Sequence, residues 1–70
     1  MMYRIRELRE DRDLSQAEVA KVIHTSQQQY SKIETGQSDI NGEKLVLLSK
    51  FYNVSVDFIL GLTNDSSPVK

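Results

Sequence analysis

Large apolar residues recur at helical spacing along most of the chain, with polar residues between them. Met1, Ile5 and Leu8 share one face of a segment from about Met2 to Arg12. The nearest approach to strand-like alternation, residues 54–56, is too short to make a useful strand. The pattern therefore predicts a protein built of helices.

Cap signals divide the rest of the chain into four further helices. Each signal is a polar residue whose side chain can accept a hydrogen bond from the backbone N–H three residues later. These residues are Ser15, Ser26, Asn41 and Ser55. We expect the second helix to end near Ile23 and the third near Thr35, with Gly36 and Gly61 as left-handed stops for the third and fifth.

The apolar positions of these helices define the expected core. They are Ile5, Leu8, Val19, Ala20, Ile23, Tyr30, Ile33, Leu45, Leu48, Tyr52, Phe58 and Ile59. We predict an all-α fold, a compact bundle of five short helices over residues 1–62. A polar, flexible tail over residues 63–70 should follow it.

Composition narrows the chemistry that this chain can carry. Its 70 residues include no cysteine, which excludes a disulfide framework and a thiolate metal site. With one histidine, His24, and no metal-like cluster, we expect no metal, no cofactor and no catalytic residues, so the protein should not be an enzyme. No apolar run approaches the roughly 18 residues of a membrane span, and the expected location is the cytoplasm.

Residues 16–34 hold two predicted helices with a very short connection. Only His24 and Thr25 separate them, which is the spacing of a tight helix-turn-helix. Ala20 supplies the small residue needed where the two helices cross. Because residues 24–29 include no large apolar side chain, the start of the third helix should face water or a partner.

The motif and its surroundings resemble a known family. The sequence pieces IRELRE, LSQAEVAKVI, YSKIETG and NVSVDFILGL are similar to phage-repressor and Cro-type (XRE-family) helix-turn-helix domains, over about Ile5 to Leu62. The resemblance implies the lambda-repressor-like fold. It also implies a sequence-specific transcriptional regulator, a repressor, that inserts its third helix into the major groove of double-stranded DNA as a dimer. His24 departs from the family pattern, which has glycine in this turn.

The resemblance also implies roles for individual residues. The positions that face base edges are Ser26, Gln27, Gln28 and Lys32. The positions that contact DNA phosphates are Gln16, Gln37, Asn41 and Lys44. The positions of a structural ion pair are Arg9 and Glu34. Chemistry supports the first set, because a glutamine amide can pair with adenine N6 and N7 together, although adjacent glutamines also suit a solvated helix face.

Two observations leave a second interpretation open. The net charge is −1, whereas DNA-binding domains are usually basic, so we expect weak binding by a monomer. Leu47 and Phe51 form an i, i+4 apolar pair that predicts an interface with a second copy or with a protein partner. The alternative function is therefore an antitoxin-like or other protein-binding module on the same fold, which a co-purifying partner would reveal.

Overall fold

Five α-helices follow one another along the part of the chain that the computed structural model describes, residues 3–65. They are α1 (Ile5–Asp11), α2 (Gln16–Val22), α3 (Gln27–Glu34), α4 (Gly42–Tyr52) and α5 (Val56–Ile59). No strand occurs within these residues. The all-α prediction is confirmed.

The four predicted N-caps are confirmed. Ser15, Ser26 and Ser55 each accept a hydrogen bond from the backbone N–H three residues on, at 3.0–3.1 Å. The Asn41 Oδ1 atom accepts from the Lys44 N–H at 2.9 Å. Each bond satisfies a backbone donor that has no partner within its helix, so local chemistry sets where α2 to α5 begin.

The start of α1 was predicted too early. Tyr3 and Arg4 are not helical, α1 begins at Ile5, and Met1 and Met2 lie outside the described residues. The Arg4 backbone N–H donates to the Ile59 carbonyl at 2.9 Å. This bond ties the chain to the end of α5 and satisfies a backbone donor that has no partner within α1.

The core is close to the one expected from the pattern. Its buried apolar residues are Ile5, Leu8, Val19, Ala20, Ile23, Tyr30, Ile33, Ile40, Leu48, Tyr52, Val54 and Ile59. Leu45 and Phe58 were predicted inside, but they are only partly buried and pack against this core. Ile40 and Val54 are buried in addition, in the connections that precede α4 and α5.

The turn between α2 and α3 sets the angle of the motif. His24 adopts a left-handed conformation with φ of 56°, which glycine adopts most readily and histidine tolerates better than most residues. The next residue, Thr25, donates its backbone N–H to the Ala20 carbonyl at 3.0 Å. The turn is therefore closed by backbone bonds, and α3 is held against α2.

Beyond α5, the described chain runs to residue 65. The Arg4 Nη2 atom donates to the Asn64 Oδ1 atom at 2.7 Å, which connects this segment to the start of the chain. The rest of the predicted tail, residues 66–70, lies outside the described residues. Among the described helices, none is long and apolar enough to cross a membrane.

Candidate functional site

An open cleft of about 490 Å³ lies along the exposed face of α3, beside the first turn of α2 and the loop that follows α3. All its lining side chains are polar: Gln16, Gln27, Gln28, Ser31, Lys32, Thr35 and Gln37. The cleft is thus a polar surface built from both helices of the helix-turn-helix.

The cleft brings together five of the residues singled out in the sequence. Three of the four base-edge candidates line it, namely Gln27, Gln28 and Lys32. Two phosphate candidates, Gln16 and Gln37, lie on the same surface. The two sets are therefore adjacent around α3, as the docking of a helix in a groove requires.

Ser26, Asn41 and Lys44 are not part of this lining. The Ser26 hydroxyl caps α3 by accepting from the Gln29 N–H, and it keeps its own O–H as a donor. Asn41 and Lys44 lie in the first turn of α4, where the amide oxygen of Asn41 is already used by the cap. The amide N–H groups of Asn41 and the ammonium of Lys44 remain as donors.

Two lining residues, Ser31 and Thr35, were not singled out from the sequence. Ser31 lies four positions after Gln27, and Thr35 four after Ser31, so helical spacing places all three on one face. That spacing was the available signal. The Thr35 hydroxyl donates to the Ser31 and Lys32 carbonyls at 3.1 and 3.3 Å, so it closes the end of the helix.

The end of α3 folds the following loop back towards the cleft. Gly36 is left-handed with φ of 81°, as expected for a helix stop. The backbone N–H groups of Gln37 and Ser38 both donate to the Lys32 carbonyl, at 2.8 and 3.1 Å. These bonds hold the Gln37 side chain beside α3.

Arg9 and Glu34 form a two-pronged ion pair behind the cleft. The Arg9 Nε atom is 2.8 Å from Glu34 Oε2, and Arg9 Nη2 is 3.2 Å from Oε1. A third nitrogen, Arg9 Nη1, donates to the Leu14 carbonyl at 2.8 Å. Since the Glu34 side chain is only 3% exposed and that of Arg9 15%, the pair joins α1 to α3 inside the fold.

The carboxylate of Glu34 is also the partner of a cleft residue. The Gln16 Nε2 atom donates to Glu34 Oε1 at 3.4 Å. Burial alone would raise the pKa of Glu34, but its hydrogen bonds and charge pairing with Arg9, together with the Gln16 amide, outweigh burial and lower that pKa. Glu34 is therefore held in its charged form at neutral pH.

Two tyrosine hydroxyls are buried close to this ion pair. Among the described residues, neither the Tyr30 nor the Tyr52 hydroxyl has a hydrogen-bond partner of acceptable geometry. Burial, reinforced by the nearby Glu34 charge, raises the pKa of Tyr30, and burial raises the pKa of Tyr52 to about 12. Both rings serve the core in their neutral form, and Tyr30 is fully buried rather than open to the cleft.

Charge is distributed unevenly around the site. The described residues that line the cleft include a cation, Lys32, and no aspartate or glutamate. Acidic residues occur instead on α1, where Glu7, Glu10 and Asp11 are exposed. Among the described residues there is no group of histidine and carboxylate side chains arranged to hold a metal. The cleft suits hydrogen bonding to a polar or anionic partner.

A second exposed feature lies on α4. Val46 and Phe51 are exposed by 46% and 45%, whereas Leu47 is only partly buried and packs against the core. The Phe51 ring makes an edge-on contact with Tyr52, with the ring centroids 4.9 Å apart. Phe51 is therefore the exposed member of the predicted pair, and Leu47 contributes less than its sequence position suggested. Val46 is exposed separately, five positions before Phe51 rather than at the spacing of neighbours on a helix surface.

Comparison with known proteins agrees with this geometry. The family model described as "Helix-turn-helix" matches residues 5–59, which include all five helices. The chain belongs to the helix-turn-helix family. The relatives that it resembles are named as HTH-type transcriptional proteins, one a regulator and one an activator, so the resemblance drawn from the sequence motifs is confirmed.

Two relatives show how far the likeness of this helix-turn-helix chain extends. One is the uncharacterized HTH-type transcriptional regulator YobD of Bacillus subtilis (strain 168), 38% identical over 93% of this chain and 58% of its own length. The other is the HTH-type transcriptional activator BcrR of Enterococcus faecalis, 33% identical over 81% of this chain and 28% of its own length. The chain thus spans less than two thirds of each relative. No solved structure matches it.

Proposed function

We propose that this chain is a sequence-specific DNA-binding regulator that inserts α3 into the major groove of an operator. The observation that carries the proposal is the cleft, which combines the exposed face of α3 with the first turn of α2 and contains no acidic side chain among its described lining residues. A surface of amides, hydroxyls and an ammonium matches the hydrogen-bonding edges of bases and phosphates. In this proposal the protein has no catalytic role, needs no cofactor and is located in the cytoplasm.

Base reading is assigned to Ser26, Gln27, Gln28 and Lys32. Gln27 and Gln28 are exposed in the first turn of α3, the part of a recognition helix that contacts base edges. A glutamine amide pairs with the N6 and N7 atoms of adenine, and a lysine ammonium donates to guanine O6 and N7. The operator should therefore contain A·T pairs at the positions that the two glutamines face.

Phosphate contacts are assigned to Gln16, Gln37, Asn41 and Lys44. The first two lie on the cleft rim, and the last two lie in the first turn of α4, whose unpaired N–H groups attract anions. Only Lys44 in this set and Lys32 in the base-reading set carry positive charge. Two cations predict a shallow salt dependence, with a slope of log affinity against log salt of about −2 per monomer.

Few cations imply weak binding by one copy, and we therefore propose a dimer on two half-sites. Leu47 and Phe51 belong to the proposed dimer surface, supported by the exposure of Phe51. We propose repression by occupation of the operator. The relative from Enterococcus faecalis is named an activator, so a promoter-reporter assay must be able to detect activation as well as repression.

Fluorescence anisotropy with DNA from the gene's own upstream region tests this function. Specific binding should exceed binding to scrambled DNA of equal length, and Gln28→Ala should remove most of that preference. Gln29→Ala is the matched control, because Gln29 lies in the same turn but outside the cleft. Equal affinity for both DNAs at low salt and high protein concentration would argue against reading of that DNA by α3.

A protein-binding module is the second candidate function. It is favoured by the exposed Val46 and Phe51 side chains on α4, which suit an apolar partner surface. In that case an antitoxin-like complex would form through α4, and Phe51→Glu would abolish the complex while leaving the fold intact. Purification of the natural chain from its own cells, with and without Phe51→Glu, separates this function from dimerisation.

A further inference from the structure

The Glu34 carboxylate connects the interior of the protein to the cleft through one side chain. Its Oε1 atom accepts from two donors, Arg9 Nη2 at 3.2 Å and Gln16 Nε2 at 3.4 Å. Glu34 is itself 4% exposed and does not line the cleft, whereas Gln16 does. Gln16 therefore lines the cleft, while its amide nitrogen is hydrogen-bonded to a buried carboxylate that does not.

The orientation of the Gln16 amide follows from the chemistry of its partner. An ionised carboxylate can only accept hydrogen bonds, so the amide nitrogen of Gln16, not its oxygen, must face Glu34. The two-pronged bond from Arg9 fixes the carboxylate in turn, because the guanidinium fork matches its two oxygens. The Gln16 amide oxygen and its second N–H are left for the cleft.

We propose that Glu34 is a positioning residue of the DNA interface, which holds the Gln16 amide in a single orientation before DNA arrives. This rests on the proposed function of the cleft. A side chain that is already ordered loses less rotamer freedom when it binds. With its nitrogen held by Glu34, the second N–H of Gln16 has one direction in the cleft, whereas a freely rotating Gln16 would offer an N–H to the phosphate in only part of its conformations. Glu34 thereby supports specific DNA binding without touching DNA.

Two affinities of Glu34→Gln, one for the selected operator and one for scrambled DNA, separate a positioning role from a purely structural or a purely electrostatic role. Loss of positioning weakens binding to the selected operator about tenfold, the size of one hydrogen bond to a charged group. Binding to scrambled DNA stays equal or strengthens, because the Gln16 contact to phosphate forms only where α3 is seated in register on its site, and because a negative charge has been removed. Partial unfolding would weaken both affinities, and electrostatic relief alone would strengthen both.

A double-mutant cycle tests whether Glu34 acts through Gln16. In the natural chain Glu34→Gln should weaken operator binding about tenfold, whereas in a Gln16→Ala background it should have less than about a twofold effect. Glu10→Gln is the matched control: it removes the same charge from an exposed carboxylate on α1 that does not line the cleft, so operator affinity should be retained. An equal loss from Glu34→Gln in both backgrounds would overturn the proposal and leave the proposed function standing.

The natural chain offers a second readout that needs neither a variant nor DNA. In ¹⁵N-detected NMR spectra, the side-chain amide signals of Gln16 should move as Glu34 is protonated in acid. Those of Gln29, which is outside the cleft, should not follow the same titration. Gln16 signals that ignore the protonation of Glu34 would refute the positioning role even if the chain binds its operator. Failure of operator binding with a clear Gln16 titration would instead count against the proposed function.

Discussion

Replacing Glu34 by glutamine removes one charge from a pair that is almost fully inside the protein. The side chain of Glu34 is 3% exposed, and that of Arg9 is 15% exposed. Breaking a buried pair by removing one partner typically costs about 3–5 kcal/mol, because the other charge is left without compensation. Water reaches part of Arg9 here, so we expect a loss near the lower end, about 3 kcal/mol.

A loss of this size is large for so short a chain. Domains are stabilised by roughly 0.05–0.15 kcal/mol per residue, or about 4–10 kcal/mol for this length. A change of about 3 kcal/mol should lower the Tm by roughly 12–24 °C. Urea denaturation followed by far-ultraviolet circular dichroism at pH 7 measures the free energy of unfolding for the natural chain and for Glu34→Gln.

The pH dependence provides an internal check with a definite sign. The pKa of Glu34 is lowered in the folded state, so its stabilising contribution is present above the unfolded pKa and is lost as pH falls through the folded pKa. Glutamine does not titrate. The difference in unfolding free energy between the two chains should therefore be full at pH 7 and should shrink steadily below about pH 4, near the unfolded value.

The control is an exposed ion pair on the same protein. Arg6 and Glu10 are 3.4 Å apart, but their side chains are 64% and 55% exposed, so Glu10→Gln should leave stability essentially unchanged. The reasoning is refuted if Glu34→Gln costs less than about 1 kcal/mol at pH 7, a cost typical of an exposed pair. A difference between the chains that is constant from pH 7 to pH 3 would equally refute it.

Three further predictions concern DNA reading, the motif's turn and the α4 surface. Gln28→Ala should weaken operator binding by about 1–3 kcal/mol in anisotropy titrations without changing the Tm, and an unchanged affinity would remove Gln28 from the base-reading set. His24→Gly should stabilise the fold by about 0.5–1 kcal/mol in urea denaturation, because glycine relieves the left-handed strain at φ of 56°; a destabilised variant would show that the imidazole makes a needed contact. Phe51→Glu should shift a dimer towards monomer in sedimentation experiments at unchanged Tm, and an unaltered sedimentation profile would place the dimer surface elsewhere.

Sequence rules predicted the helix starts where the determining contact is local. Ser15, Ser26, Asn41 and Ser55 bond to backbone groups three residues away, so their effect can be read from a short stretch of chain. The start of α1 was predicted too early, and the backbone bond at that end of the helix joins Arg4 to Ile59, which are far apart in sequence. No local sequence pattern predicts such a bond.

The same distinction applies to the candidate site. Gln27, Gln28 and Lys32 could be grouped from helical spacing and motif resemblance, and Ser31 and Thr35 were available from the same spacing. The contact between Gln16 and Glu34 could not be predicted, because it depends on the depth at which α3 packs against α2. The pattern of apolar residues also did not predict which side chains of α4 are exposed: Leu47 packs against the core, whereas Val46 is exposed.

The placement of charge is compatible with the proposed DNA surface on a chain of net charge −1. The buried Glu34 carboxylate, which accepts from the cleft residue Gln16, also accepts both prongs of Arg9, and so it is neutralised inside the fold. The exposed acids of α1 do not line the cleft. With few cations at the interface, affinity must come mainly from amide and hydroxyl hydrogen bonds, which depend on orientation more than charge does. That makes the prior ordering of Gln16 matter more here than it would on a strongly basic surface.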